Sequence, residues 1–235
     1  MVKNNLRLSK NLKNVTIIQG FPGFGLVGTI ATEYLIEHLH CELLTKYWFE
    51  ELPATITIHD GKLIHPIGIY YNKKYNLVII HSILSTAGIE WKVAELIDTV
   101  AQQTKAKEII SLEGVSSPAN VAEPRAFYYS TNDNKKLTAI ADELKEGIII
   151  GVTSALLLKS KTTITALFAD THSQLPDSKA AAKLIVVLDK YIGLNIDPKP
   201  LFETAKKFEE KIKAMLEKGV EMQEDQKKKQ LNYVG

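Results

Sequence analysis

Alternation between short β-branched runs and segments of helical periodicity is the feature that most constrains the fold of this chain. A run at residues 15–18 precedes apolar residues at helical spacing over 29–39. The continuous apolar run at 77–80 is typical of a strand buried on both faces of a parallel sheet, and 89–103 has the periodicity of a crossover helix. Further strand patterns alternate with helix patterns, the strands at 108–112, 147–152 and 162–169 and the helices at 134–144, 154–159 and 179–191. Repeated units of this kind predict an α/β fold with a mostly parallel central sheet and helices on both faces.

One stretch departs from this alternation. Residues 43–49, 54–59 and 63–71 have strand character, and Asp60-Gly61 between the last two is a strong two-residue turn signal. We therefore predict an antiparallel hairpin insertion between the first helix and the strand at 77–80.

The composition changes at residues 197–200, where two prolines interrupt the helical pattern. Residues 201–222 then predict an amphipathic helix, whose apolar stripe comprises Phe208, Ile212, Met215 and Leu216. After it the chain is polar and basic, which predicts a flexible tail. We expect a core domain over 1–196, a helical appendage over 197–225 and a tail over 226–235.

Charge and cysteine content exclude several classes of partner. The 235 residues carry 29 basic and 27 acidic side chains, so the net charge of +2 leaves no global footprint for nucleic acid or an anionic membrane. Cys41 is the one cysteine, which excludes an intramolecular disulfide and a cysteine-rich zinc site. No signal peptide or membrane span is evident in the sequence. We predict a soluble cytoplasmic protein.

The glycine-rich segment after the first strand matches the G-x-G-x-x-G pattern of a dinucleotide-binding turn at residues 23–28. The surrounding residues do not suit phosphate, because Pro22 lacks an N–H and the phenylalanines add apolar bulk, and no Lys-Ser/Thr follows. We predict a structural glycine loop and no cofactor. Its members are Gly20, Phe21, Pro22, Gly23, Gly25 and Gly28. Valine at Gly23 or Gly28 is expected to impair folding or assembly.

Polar residues near predicted strand ends define a candidate pocket, since α/β folds place ligands at these ends. Its members are Glu113, Glu123, Arg125, Asp170 and His172. The alternative is a salt-bridged loop. Asp170 and His172, with Asp177 nearby, could ligate a metal, but no third ligand in register is evident and we predict no metal site.

A catalytic serine is not predicted. Ser154 lacks the G-x-S-x-G elbow that presents a nucleophile, and the pair His81-Ser82 has no such context either. The aromatic pairs Trp48-Phe49 and Tyr70-Tyr71 favour a subunit interface over a base-stacking platform.

Residues 20–28 after the first strand resemble the signature of the proteasome assembly chaperone family in its archaeal branch. Blocks at 112–118, 123–125, 147–157 and 169–177 are similar to that family's blocks, in the same order. The resemblance implies an α/β fold akin to nucleoside phosphorylases and a homo-oligomer that binds the α-subunits of the core proteasome. Some family members carry an older ATP-grasp-like label, which rests on analogy. We therefore expect a non-enzymatic assembly chaperone or proteasome-binding adaptor/activator.

The C-terminus adds to this expectation. Proteasome activators dock with a hydrophobic residue, a penultimate tyrosine and the terminal carboxylate, whereas here Tyr233 is third from the end and Val234 is penultimate. The candidate docking tail comprises Leu231, Tyr233, Val234 and Gly235.

Two other functions remain open from sequence. One is a nucleoside- or phosphate-handling hydrolase or transferase that uses Glu113, Asp170 and His172 around the loop at Gly20 to Gly28. The other is a structural oligomer with no role at the proteasome.

Overall fold

The computed structural model describes residues 6–52, 54–59, 62–116, 123–171 and 175–196. Several sequence predictions lie outside these residues, namely the turn at Asp60-Gly61, His172, the linker at 197–200, the C-terminal helix and the tail.

The described residues form strands and helices in the predicted alternation. The strands are β1 (Thr16–Gly20), β2 (Glu42–Tyr47), β3 (Thr57–His59), β4 (Lys62–Ile64), β5 (Ile67–Asn72), β6 (Leu77–His81), β7 (Glu108–Ser116), β8 (Ala126–Ser130), β9 (Asp142–Glu143) and β10 (Ile164–Thr171). The helices are α1 (Val27–His38), α2 (Glu90–Thr104), α3 (Lys135–Thr138), α4 (Val152–Lys159) and α5 (Ser178–Ile192), and a 3-10 turn (Phe24–Leu26) precedes α1.

Eight strands form one sheet in the order β2-β5-β6-β1-β7-β10-β8-β9. The four central strands β6, β1, β7 and β10 are parallel, whereas β2 and β5 are antiparallel additions at one edge. At the other side β8 runs antiparallel to β10, and β9 pairs parallel with β8. This confirms the predicted mixed α/β fold with a mostly parallel central sheet. Strands β3 and β4 pair with each other in a separate two-stranded sheet where the antiparallel hairpin was predicted, but the strand expected over 63–71 is divided between β4 and β5, which lie in different sheets.

The central strands are apolar on both faces because helices cover both. One core contains residues of α1 and α5 together with Ile18, Ile79 and Ile110. The other contains residues of α2 and α4 together with Ile17, Ile80 and Ile109. These isoleucines are fully buried, and each contributes about 1.5–3 kcal/mol through the apolar surface it removes from water.

Two other predicted elements are wrong. The helix expected over 134–144 ends at Thr138, because the chain turns to the edge of the sheet, where the Leu144 N–H donates to the Tyr128 carbonyl at 2.8 Å. The strand expected over 147–152 does not form, and the sheet ends at β9. Ile148 is 92% exposed instead, and α4 begins at Val152.

Candidate functional site

The glycine loop joins β1 to α1 through direct backbone contact. A Cβ placed on Gly28 would lie 2.1 Å from the carbonyl oxygen of Leu112 in β7. A Cβ on Gly20 would lie 2.1 Å from the carbonyl oxygen of Gly28. These two glycines therefore allow α1 to rest on the backbones of β1 and β7 without any side chain between them.

The turn before α1 is anchored on neighbouring strands. Gly25 has a φ of +60°, and a Cβ there would meet the hydroxyl of Thr171 at 2.7 Å. Its carbonyl accepts a hydrogen bond of 2.9 Å from the Asp177 N–H at the start of α5. A Cβ on Gly114 would come within 2.1 Å of the Phe24 carbonyl oxygen. The backbone of this turn therefore packs against β7, β10 and the start of α5.

Two residues of the loop are less constrained. Gly23 is extended, with a φ of −152°, and a Cβ there would have no atom within 4 Å. The backbone conformation at Gly23 is one that any residue adopts and a Cβ has space there, so the structure gives no steric reason for a glycine at this position, and the effect of valine on folding or assembly stays a prediction. Phe21 is buried in the core on the α2 side, whereas the ring of Phe24 is partly exposed.

Four polar side chains form a hydrogen-bonded cluster beside the carboxyl end of β1 and the middle of β7. The Gln19 amide donates to the hydroxyls of Ser111 and Thr153, the second bond being 3.2 Å long. The two hydroxyls are bonded to each other, and the Thr153 hydroxyl donates to the Glu113 carboxylate. Gln19 is buried, and its Oε1 has no hydrogen-bond partner among the described residues. The cluster connects two central strands to the start of α4.

Glu113 supplies the cap that α4 lacks locally. The residue before α4 is Gly151, which has no side chain to accept from the first turn. The Glu113 carboxylate accepts a hydrogen bond from the hydroxyl of Thr153 in the first turn, and the Thr153 backbone N–H also lowers the pKa of this carboxyl. Burial raises the pKa of Glu113 to about 7, although the two hydrogen bonds from Thr153 act in the opposite direction. Its carboxyl group therefore titrates near neutral pH.

Asp170 and Arg125 form a second polar pair. Asp170 is 2% exposed and accepts from the Arg125 Nε at 2.9 Å and from the Arg125 backbone N–H. The Asp170 N–H donates in return to the Arg125 carbonyl at 3.1 Å. The guanidinium also lies 5.3 Å from the centre of the Phe127 ring. These contacts tie the start of β8 to the end of β10.

The structure thus divides the candidate pocket. Asp170 and Arg125 are paired with each other, while Glu113 is bonded to Thr153 and Glu123 is exposed. His172 lies outside the described residues. Sequence reasoning identified Glu113 but missed Gln19, Ser111 and Thr153. The sequence did contain a signal for two of them. Gln19 and Ser111 are polar residues that each come directly after two isoleucines of a buried strand.

His81 and Ser82 make separate contacts that do not resemble a nucleophile with its base. The His81 Nδ1 lies 2.8 Å from the Thr32 hydroxyl, and its Nε2 lies 2.9 Å from a Glu33 carboxylate oxygen. The Ser82 hydroxyl donates to the Pro66 carbonyl at 2.6 Å. Within the described ranges no group of three or more His, Cys, Asp or Glu side chains is arranged to hold a metal ion.

The aromatic pairs predicted for an interface are mostly internal. Phe49 and Tyr71 are buried, and Tyr70 is partly buried. Trp48 is 57% exposed. Every helix in the described part of the chain is too short or too polar to cross a bilayer.

These features define a class of α/β-sheet protein in which a glycine turn packs a helix onto two strands and the polar groups at the strand ends bond mainly to one another. The chain belongs to the PAC2 family, whose model matches residues 17–216. Similar solved structures include Pyrococcus furiosus PbaA, described as an archaeal homolog of proteasome-assembly chaperone, with 27% identity, a TM-score of 0.77 and coverage of 95% of this chain and 96% of that chain.

Two other archaeal structures are similar. A protein of unknown function from Thermoplasma acidophilum has 25% identity, a TM-score of 0.81 and coverage of 92% of each chain. Pyrococcus furiosus PbaB, described as an archaeal proteasome activator, shares the fold with 22% identity, a TM-score of 0.72 and coverage of 89% of this chain and 97% of that chain. The predicted resemblance to the proteasome assembly chaperone family is confirmed, and membership of this family agrees with a non-enzymatic protein.

Proposed function

We propose that the protein is a non-enzymatic, homo-oligomeric proteasome-assembly chaperone or adaptor/activator that contacts α-subunits of the core particle in the cytoplasm. The observation that carries this proposal is the likeness to PbaA, which extends over 95% of the chain at 27% identity. Family membership over residues 17–216 supports the same role.

The geometry at the strand ends favours a protein-binding role over an enzyme that handles nucleosides or phosphate. A nucleoside- or phosphate-handling enzyme needs open backbone donors at the turn before the helix. Here Pro22 has no N–H, and the Leu26 N–H in the turn donates to the Gly23 carbonyl at 3.0 Å. The Asp170 carboxylate likewise accepts from Arg125 on two sides.

The C-terminal tail is the segment we propose for docking on the α-subunits. Leu231, Tyr233 and Val234 supply apolar side chains, and Gly235 follows them. Ordering a tail on binding costs conformational entropy, so each tail binds weakly and an oligomer gains affinity through several tails together. In this proposal residues 1–196 are the folded body, 197–225 the appendage and 226–235 the tail.

Binding to recombinant α-rings tests the proposal. Immobilised α-rings should retain the full-length protein, and deletion of residues 231–235 should weaken retention while the circular dichroism spectrum is unchanged. A matched control replaces Gln226 and Gln230 by alanine, which alters the same segment but keeps Leu231 to Gly235. Equal retention of all three proteins would place the contact on the folded body. No retention of any of them would overturn the proposed function.

A thermal-shift series with ATP, ADP and nucleosides addresses the enzyme alternative. We expect no rise in the unfolding temperature, since a ligand raises it only by binding the folded state. A saturable rise with one nucleotide would contradict the non-enzymatic proposal.

A further inference from the structure

We propose that residues 201–222 dock as an amphipathic helix on the apolar surface that β2 and β5 present on the α1 side of the sheet, within the same chain. We define the edge surface as Ile36, Leu39, Leu43 and Tyr70. This docking goes beyond the proposed function, because it requires neither a proteasome subunit nor a second copy of the chain.

The strand residues of the edge surface lie on the same side of the sheet as α1. Leu43 in β2 is directly opposite Tyr70 in β5, and Tyr70 is directly opposite Ile79 in β6. Side chains that oppose each other across neighbouring strands share one face of a sheet, and Ile79 belongs to the core formed with α1 and α5. Leu43 and Tyr70 therefore continue this core toward the edge of the sheet.

The described helices on this side pack mainly on the central strands. Helix α1 packs on β1, β6 and β7, and α5 packs on α1, β7, β8 and β10. At the edge Leu43 is 46% exposed, and Ile36, Leu39 and Tyr70 are only partly buried against the core. A further helix laid along the edge strands would bury this apolar area and extend the layer that α1 and α5 begin.

The C-terminal half of α1 borders the edge surface. Glu33 lies one turn before Ile36 on the same side of α1, and its carboxylate is 2.9 Å from the His81 Nε2 in β6. The Asn72 side chain in β5 donates to the carbonyl of Leu39, the residue after α1, at 2.7 Å. Ile36 and Leu39 are therefore held beside the strands of the edge.

The described part of the chain ends next to this surface. The Tyr75 hydroxyl donates to the Leu194 carbonyl, and the Tyr75 N–H donates to the Asn72 side chain at 3.0 Å. Asn72 is the residue that donates to Leu39, and Ile196 is buried in the same core. A continuous series of hydrogen bonds thus connects the point where the chain leaves α5 to the edge surface.

Residues 201–222 match the edge surface in reach and in length. The four residues 197–200 span at most about 14 Å, so the segment must begin close to the place where Ile196 ends the folded body. Its apolar stripe, from Phe208 to Leu216, rises about 12 Å along a helix, and a six-residue strand such as β2 or β5 is roughly 20 Å long. A linker this short keeps the segment at a local concentration on the order of millimolar, which favours it over a separate molecule.

The extent of the family match supports the same assignment. The PAC2 model covers residues 17–216, so the whole apolar stripe lies in the region that defines the family, whereas residues 231–235 lie outside it. An amphipathic helix within a family's shared region is expected to bury its apolar stripe on the folded body. The stripe is therefore assigned to the body and not to the tail.

Thiol labelling of the full chain tests the docking. In a Cys41→Ser background, Leu43→Cys puts a single thiol on the edge surface, and Ile148→Cys puts one at a residue that is 92% exposed before α4. Adding Ile212→Asn, on the stripe, should raise the rate at which a maleimide reacts at position 43 several-fold. Lys213→Asn, at the next and polar position, should leave that rate unchanged, and neither substitution should alter the rate at position 148.

A reciprocal measurement keeps the test decisive if Ile212→Asn does not fold. In the same Cys41→Ser background, Ile212→Cys and Lys213→Cys place the thiol on the segment itself. The thiol at position 212 should react several-fold more slowly than the thiol at position 213. Leu43→Asn should raise the rate at position 212 and leave the rate at position 213 unchanged.

The outcomes separate docking within one chain from its alternatives. An unchanged rate at position 43 with Ile212→Asn, or equal rates at positions 212 and 213, would overturn the docking. A rate at position 212 that Leu43→Asn leaves unchanged would place the stripe on another surface and would also overturn it. Protection that disappears on dilution would identify the stripe of a second copy as the occupant and would overturn docking within one chain. Retention on α-rings is measured separately and judges the proposed function alone.

Discussion

The Glu113 carboxylate on β7 accepts a hydrogen bond from the hydroxyl of Thr153 in the first turn of α4. A strand and a helix that lie 40 residues apart in sequence are thereby joined at the position where α4 has no local side-chain cap. Since burial raises the pKa of Glu113 to about 7, this junction changes its protonation state near neutral pH.

Stability should fall as the pH rises through the titration of Glu113. A carboxyl whose pKa is 4.5 when unfolded and about 7 when folded stabilises the folded state fully below pH 4.5, and this contribution is lost as the pH rises to 7. The difference corresponds to about 3 kcal/mol. Glu113→Gln should remove this part of the pH dependence. Urea unfolding at pH 5 and pH 8 measures it.

Glu123→Gln provides the control, since Glu123 is exposed and should leave the pH dependence of the wild type intact. An identical pH dependence for Glu113→Gln and the wild type would contradict the expected role of Glu113.

Gly28→Ala should destabilise the fold strongly, whereas Gly23→Ala should not. The new methyl group at position 28 would lie 2.1 Å from the Leu112 carbonyl oxygen, and moving α1 away from β7 should cost roughly 3 kcal/mol. At Gly23 the methyl group meets no atom within 4 Å. The free energy of unfolding in urea compares the two variants. Similar losses for both would show that backbone contact is not what Gly28 provides.

Asp170→Ala should destabilise the connection between β8 and β10 by about 2 kcal/mol, because it leaves the donors of Arg125 without their acceptor. The side chain of Arg125 is 56% exposed, so water can accept part of the hydrogen bonding that the Asp170 carboxylate provided. Hydrogen exchange should rise in β8 before it rises in β1. Asp142→Ala, at an exposed residue of β9, is the control. Unchanged protection of β8 would argue against the anchoring role.

Cys41 should react very slowly in the folded protein. Burial raises the pKa of this thiol to about 12, so the thiolate fraction at pH 8 is about one in ten thousand. Its Sγ also lies 3.8 Å from the Leu35 carbonyl oxygen. Reaction with a disulfide reagent should accelerate to the rate of an unhindered thiol in urea. Rapid reaction without denaturant would contradict the raised pKa of this partly buried thiol.

The central sheet could be predicted because local sequence carries the information. Residues 77–80 form an uninterrupted apolar run, and a strand buried on both faces needs no other signal. Strand β8 was missed, since its five residues follow a loop and acquire their partner, β10, far along the chain. The run at 147–152 has the same local signal as β6, but it gains no strand partner, and Ile148 and Ile150 are exposed.

The candidate site was less accessible from sequence because its contacts are distant in sequence. Gln19 bonds to Ser111 and Thr153, which are 92 and 134 residues away. Asp170 and Arg125 are separated by 45 residues, so neither residue type nor local spacing predicts that they neutralise each other. The sequence shows which polar residues lie near strand ends. Which of them bond to each other depends on which strands are neighbours in the sheet, and local sequence does not give that order.

The contact of Gly28 with Leu112 and Gly20 bears on how such sequences are interpreted. In a dinucleotide-binding fold the last glycine of the fingerprint also permits close approach of a helix to a strand, independently of the phosphate. A helix that follows a buried strand and rests on two backbones meets the same steric demand whether or not a nucleotide is present. The G-x-G-x-x-G motif at residues 23–28 therefore reflects the close approach of a helix backbone to two strand backbones. A motif search that takes this pattern as evidence of a bound nucleotide would assign nucleotide binding to proteins that share only this geometry.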